Sequence, residues 1–253
     1  MKGLTITGLN LDIIWKNKPA NYKKVAQSFE NIESDILMLP EMFSTGFYMN
    51  PAEIADRNAE TLIWMKEFAQ HKNSVVCGSA SIYEAGKFLN RFYFVEPDGN
   101  YAAYDKRHLF SYSGEDKKYS AGKDRVIVTY KGWRILLQVC YDLRFPVFSR
   151  NNGDYDVILY VANWPKSRID AWQTLLKARA LENQAYVFGL NRIGIDANNL
   201  EYPESSYCFA ADGKEISTTT DNIVTARLDL EKLQEFRNKF PFLSDRDEFY
   251  FKE

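Results

Sequence analysis

Histidine is almost missing from this chain of 253 residues, which holds only His71 and His108. That scarcity leaves little room for paired imidazole metal ligands or for a choice of histidine bases. Cysteine is nearly as rare, at 77, 140 and 208, with no CxxC and no Cys/His cluster. Neither a disulfide framework nor a structural zinc site is supported by that spacing. The formal net charge is −2 and basic residues are scattered, so charge gives no reason to expect nucleic acid or an anionic membrane as partner. KNK at 16–18 and DKR at 105–107 are too short to be binding tracts. No apolar run approaches the roughly 18 residues that span a bilayer. The opening MKGLTITGLNLD alternates like a strand and does not read as a secretion signal, so a cytoplasmic location is expected. No glycine-rich fingerprint follows that strand and no GxxxxGK[ST] loop occurs, which leaves a nucleotide-binding reading without support.

What is present is ordinary for a globular protein: 45% hydrophobic and 26% charged residues, in a length that can bury a sizeable core. Short β-like runs alternate with helical ones. Strands are expected at 3–9, 35–39, 74–83, 89–95, 101–104, 125–130, 134–140, 156–161, 185–192, 206–210 and 223–228. Helices are expected at 20–33, 57–72, 145–151, 168–184 and 229–239. EPDGN at 96–100 and AADGKE at 210–215 read as hairpin turns. This order argues for an α/β protein of sheets faced by helices, with residues 1–253 forming a single domain.

Cys140 lies in ILLQVCYDLRFP, where an apolar strand gives way to a turn. A thiol there is held on rigid backbone beside a cleft, which suits a nucleophile, although buried free cysteines are also plain core. A thiol nucleophile needs a base. His71 fits the last turn of a surface helix and His108, in YDKRHLF, fits a loop hydrogen-bonding role, so a Cys–His dyad is not favoured. Glu41, in DILMLPEMFSTGF, follows a buried strand; apolar neighbours there desolvate a carboxylate, which suits general-base work but also suits a turn cap. Lys106 ends the strand of YAAYDKRHLF and is either a stabiliser of developing negative charge or a solvated lysine. Glu115, in SGEDKKYSAG, reads by itself as a solvated loop acid.

Taken together, LPEMFSTGF, YDKRHLF, SGEDKKYSAG, VCYDLRFPVFSRN, ANWPKSR and ARALENQAYVFGLNRIG resemble the nitrilase superfamily in order and spacing, from about residue 3 to about 250. The resemblance is strongest to the ω-amidase type of carbon–nitrogen hydrolase. It implies Glu41 as general base, Lys106 as oxyanion stabiliser, Cys140 as nucleophile, and Glu115 as the second glutamate that orients the lysine. It implies a four-layer α-β-β-α sandwich, no metal or organic cofactor, and a homodimer or higher homo-oligomer. The implied substrate is a small-molecule amide, namely the terminal amide of a short 2-oxo-dicarboxylic acid. Such a substrate needs a cationic anchor, for which Arg144 and Arg168 are candidates, with a salt-bridge role slightly favoured for Arg144. Phe43, Tyr141 and Trp164 are candidate pocket walls, or plain core. Two departures from the pattern stand near the expected rim: Ala171 where histidine is common, and Pro203, Glu204 and Ser205 in a turn that normally holds glycine. N-carbamoyl amino acid or deaminated-peptide amidases are the alternative within the superfamily. A non-catalytic binding protein on the same scaffold, or a thiol-redox role for Cys140, would be a different class.

Overall fold

The elements follow the apolar periodicity of the chain, in a computed structural model that describes residues 3–250. The first half runs β1 (Gly3–Leu9), α1 (Lys18–Ser28), β2 (Ile36–Met38), α2 (Glu60–Lys72), β3 (Val75–Glu84), β4 (Lys87–Val95), β5 (Tyr101–Asp105) and β6 (Ile127–Tyr130). There follow β7 (Trp133–Val139), β8 (Val157–Ala162), α3 (Ile169–Asn183), β9 (Tyr186–Asn191), β10 (Gly194–Ile195) and β11 (Glu201–Tyr202). The last are β12 (Tyr207–Phe209), β13 (Thr218–Thr220), β14 (Ile223–Asp229) and α4 (Leu230–Lys239).

One sheet runs β13–β14–β1–β2–β3–β4–β5 and the other β12–β9–β8–β7–β6. Strand alternation explains how they stack. Ile36 and Met38, Val75 and Cys77, and Phe92 and Phe94 join one cluster with Ile135, Leu137 and Val139 of the second sheet. Their neighbours Leu37, Val76, Tyr93 and Val95 point the other way, onto Val25 of α1 and Leu62, Met65 and Phe68 of α2. The second sheet is buried on both faces, with Trp172, Leu176 and Ala180 of α3 against it. Buried on both sides, its strands read as continuous apolar runs such as VILYVA, all six residues of which are buried. The result is four layers, α-β-β-α.

Two local readings of the sequence do not hold. The helix expected over 145–151 is absent: Cys140–Arg144 forms a 3-10 turn and Phe145 leaves it with φ −116° and ψ 88°. Pro146 is the reason, since it disfavours helical backbone at the residue before it. Strands β10, β11 and β13, of two or three residues each, are too short to leave a period in the sequence.

The α3 layer sits unusually close to β9 at Gly189. A Cβ built there meets Leu176 Cδ1 at 2.4 Å and Trp172 Cζ2 at 2.9 Å. Gly189→Ala is therefore expected to destabilise the fold by about 1–3 kcal/mol through overpacking. A urea midpoint unchanged from that of the parent would show that the helix layer yields.

Candidate active site

Four loops meet where strands end. β1, β2 and β3 are mutually parallel, as are β7, β8 and β9, and parallel sheets gather side chains at the carboxyl ends of their strands. Glu41 follows β2, Lys106 follows β5, Cys140 follows β7 and Asn163 follows β8. Glu115 comes from the loop after β5.

Cys140 opens the 3-10 turn in a left-handed conformation, φ +46°, and is 9% exposed. A non-glycine residue there stores about 1–3 kcal/mol of strain, which the surroundings must hold. Asp142 does that. Its fully buried carboxylate accepts from Val139 N (2.9 Å), His108 N (3.0 Å) and Tyr104 Oη (2.8 Å), and pairs with His108 Nδ1 (2.8 Å). The His108 ring stacks on Phe145 with centroids 4.1 Å apart. It is engaged with the turn behind the thiol, and no Cys–His dyad forms. His71 sits in the last turn of α2.

Glu41, Lys106 and Glu115 are each 0% exposed. Lys106 Nζ donates to Glu41 Oε1 at 2.9 Å and to Glu115 Oε2 and Oε1 at 2.9 and 3.1 Å. Neutral donors complete the cluster. Asn90 Nδ2 reaches Glu41 Oε1 (2.8 Å) and Glu115 Oε1 (3.2 Å), and Phe110 N reaches Glu115 Oε2 (2.6 Å). Asn163 N donates to Glu41 Oε2 at 2.9 Å. The same backbone N–H favours the ionised form of the Cys140 thiol.

The electrostatics follow from two carboxylates and one ammonium out of water. Burial works against the Lys106 charge, yet the facing Glu115 and Glu41 carboxylates hold it well above the ordinary lysine range. Burial raises the proton affinity of Glu115, with Lys106 opposing the rise and Glu41 adding to it. Burial also pushes the Cys140 thiol well up, the Glu41 carboxylate adds to that, and Lys106 opposes it. The sulfur therefore rests as a thiol, and any nucleophilic step has to move its proton to a neighbour.

Cys140 and Glu41 open onto a cavity of about 440 Å³. Tyr141, Arg144, Trp164 and Arg168 line it, together with Phe47, Tyr48, Met49, Phe110 and Tyr202. Arg144 lies over the Trp164 ring at 5.0 Å and Arg168 over the Phe110 ring at 5.3 Å. Neither guanidinium has a carboxylate partner among the described residues, so the salt-bridge role expected for Arg144 is not seen. Asp196 is the other acid lining the cavity besides Glu41, and its oxygens are taken by Asn198 N, Leu200 N and Tyr202 Oη. Phe43 does not line the cavity. It is 0% exposed and packs with Tyr22 and Trp64 under α2, because Met42 turns left-handed at φ +47° and sends the next residue into the outer core.

The two sequence departures sit behind the wall. Ala171 packs on the core beside Trp172, and Trp172 Nε1 donates to Ser205 O at 2.7 Å. Ser205 Oγ accepts from Asn191 Nδ2, and that same Nδ2 donates to Trp164 O at 2.8 Å. The turn thus steadies the Trp164 backbone without touching the cavity. Asp142, Asn90 and Asn163 are site residues that motif reading passed over; Asn90 shares β4 with Lys87 and Arg91, so nothing in that strand marks it out.

A sandwich of two sheets with a thiol at the strand ends, set beside a buried carboxylate–ammonium cluster, defines a hydrolase of carbon–nitrogen bonds. The chain belongs to the carbon–nitrogen hydrolase family, whose model matches residues 5–238, and within the nitrilase superfamily it is of the ω-amidase type. It is 46% identical to the omega-amidase YafV of Yersinia enterocolitica, over 98% of this chain and 99% of that one. It is 32% identical to the 2-oxoglutaramate amidase of Bacillus subtilis, over 95% of this chain and 96% of that one. The crystal structure of XC1258 from Xanthomonas campestris, a CN-hydrolase superfamily protein with an arsenic adduct in its active site, superposes with a TM-score of 0.95. It is 36% identical, with 100% of both chains covered. Among the described residues no helix is long and apolar enough to cross a membrane, and no group of three or more His, Cys, Asp and Glu could hold a metal ion.

Proposed function

We propose that this enzyme is an ω-amidase that hydrolyses the terminal amide of a short 2-oxo-dicarboxylic acid, such as 2-oxoglutaramate or 2-oxosuccinamate, through a thioester on Cys140. The cavity carries the proposal: it joins a buried thiol to two guanidinium groups that have no carboxylate partner among the described residues. Two such cations lining one cavity suit a substrate with an anionic end remote from the scissile amide. The names of the relatives, omega-amidase and 2-oxoglutaramate amidase, agree with that chemistry.

In this reading Glu41 takes the Cys140 proton as sulfur attacks the amide carbonyl. The C=O electron pair moves to oxygen, and the oxyanion is held by Lys106 and the backbone N–H of Tyr141. Collapse breaks the C–N bond, Glu41 returns the proton to nitrogen, and ammonia leaves a thioester. Glu41 then draws a proton from water, hydroxide adds to the thioester, and the acid departs as the thiol is restored. Glu115 orients Lys106. Tyr141 and Trp164 wall the acyl group, with Arg144 and Arg168 at its far carboxylate. The whole chain acts as one catalytic domain, working in the cytoplasm as a homodimer or larger homo-oligomer, which sedimentation would measure.

Ammonia release from a panel of 2-oxoglutaramate, 2-oxosuccinamate, N-carbamoyl amino acids and simple nitriles tests the substrate. Turnover of N-carbamoyl compounds with none of the oxo-acid amides would replace this reading by the other amidase class. Within it, Arg144→Met is expected to raise KM about 10–100-fold with kcat little changed, the loss of one charge-assisted anchor of about 1.5–3 kcal/mol. An equal KM for the variant would return Arg144 to a packing role over Trp164.

A further inference from the structure

The Lys106 ammonium is held between two carboxylates. Its Nζ donates to Glu41 Oε1 at 2.9 Å and to the Glu115 carboxylate oxygens at 2.9 and 3.1 Å. Reception of an oxyanion reorganises these bonds. The bond to Glu41 is the one that weakens during the reaction. As the S–H bond breaks and an O–H bond forms on Glu41, the negative charge that held Lys106 leaves the carboxylate and appears on the substrate oxygen. The charge of the whole cluster is unchanged, but its location moves, and the lysine N–H moves with it.

Glu41 then needs another hold. A neutral carboxylic acid that loses its ion pair is free to turn, and this acid must still deliver its proton to the departing nitrogen and later take one from water. Asn90 is placed to keep it. Its Nδ2 donates to Glu41 Oε1, the oxygen that Lys106 shares, at 2.8 Å, and to Glu115 Oε1 at 3.2 Å. Its own Oδ1 is fixed by Ser79 Oγ at 2.8 Å, and Ser79 Oγ accepts in turn from Met42 N at 3.0 Å. Met42 is the left-handed residue directly after Glu41. One short hydrogen-bonded path thus pins Glu41 at both its carboxylate and its following peptide. Asn90 is 1% exposed and Ser79 0%, so water does not compete for these bonds.

We infer that Asn90, backed by Ser79, is a positioning residue that retains Glu41 Oε1 while Lys106 transfers its N–H to the oxyanion. The inference rests on the catalytic roles proposed above for Glu41, Lys106 and Cys140. The titratable groups around Glu41 are Lys106, Glu115, Cys140 and Tyr119, whose hydroxyl bonds to Ser81 and Tyr48. Asn90 is the neutral donor that links the two carboxylates.

Asn90→Ser and Ser79→Ala are compared with the parent enzyme for kcat, KM and the pH dependence of kcat on the best amide of the panel, with thermal unfolding alongside. Asn90→Ser is expected to lower kcat about 10–100-fold with KM within about twofold, since geometry of the reacting groups is lost and not the grip on substrate. The acid limb of its profile moves to higher pH, because a carboxylate that loses a donor holds its proton more tightly. Ser79→Ala is expected to move both quantities the same way and less. A purely structural role would lower the unfolding temperature and leave the acid limb in place, and that result overturns the inference. Should Asn90→Ser not fold, Ser79→Ala decides it on the same two readings. A parent enzyme that releases no ammonia counts against the amidase reading itself, whereas an active parent with unmoved variants counts against Asn90 alone.

Discussion

Cys140→Ala abolishes ammonia release, with an expected loss on the order of 10⁶-fold, comparable to removal of a triad nucleophile. The size follows from the site. Among the described residues the other two cysteines, Cys77 and Cys208, are fully buried in the core, where burial pushes both thiols far up. Neither can substitute. Without a covalent step, water would have to attack an amide directly, and Glu41 alone would have to serve it. The fold should survive the change, since alanine removes one sulfur from a cavity wall; far-UV and near-UV spectra check that. Rapid quenching of the parent enzyme with substrate should yield a protein heavier by the acyl group on the Cys140 peptide. A Cys140→Ala variant that retains normal ammonia release would end the thioester mechanism. A sulfenic acid at Cys140 with no acyl adduct would point to redox chemistry instead.

Lys106→Met carries the second large effect, on rate and on stability together. Loss of one oxyanion donor costs roughly 10²–10³-fold in kcat. The same change leaves Glu41 and Glu115 facing each other in the interior without their cation, and breaking a buried ion pair from one side destabilises by about 3–5 kcal/mol. The pH dependence distinguishes this from simple loss of packing. Glu115 is already raised by burial with Lys106 opposing the rise, so removal of Lys106 raises it further. A carboxyl whose folded value lies above its unfolded value stabilises the fold below the unfolded value, and that contribution disappears as pH climbs through the folded one. The variant should therefore be closest to parental stability near pH 4–5 and fall progressively behind toward pH 8 (about the unfolded carboxylate range and above). A stability deficit that is constant with pH would mean that the glutamates find other partners. A rate loss of only twofold would remove Lys106 from oxyanion binding.

Glu41, Lys106 and Cys140 were candidates in the sequence because each follows a strand, where a sheet can present chemistry, and the family resemblance assigned their roles together with that of Glu115. The layers were readable from alternation in β1 to β4 and unbroken apolar runs in β7 to β9. Burial of Glu115 was not readable. Its loop looks solvated, and only the approach of Lys106 and Phe110 N, fixed by packing elsewhere, takes it inside. Asp142, two residues past the thiol, was passed over, since nothing local reveals that Tyr104 and His108 reach its carboxylate from the other sheet and the loop after it. Phe43 was misplaced because one left-handed residue, Met42, reverses which way its neighbour points. The helix expected after Arg144 failed on Pro146, a local signal that apolar spacing outweighed.

The residues of the site come from opposite sides of one seam. Glu41, Asn90, Lys106 and Glu115 belong to the seven-stranded sheet and its loops, whereas Cys140, Asp142 and Asn163 belong to the five-stranded sheet. The proposed base and its cation are thus mounted on one plate and the proposed nucleophile on the other, with Asn163 N and Nδ2 reaching across to Glu41. Neither plate holds a working half. Chemistry exists only at one alignment of the two, so every large side chain between the sheets, however far from the thiol, is part of the jig that keeps acid, cation and sulfur in line.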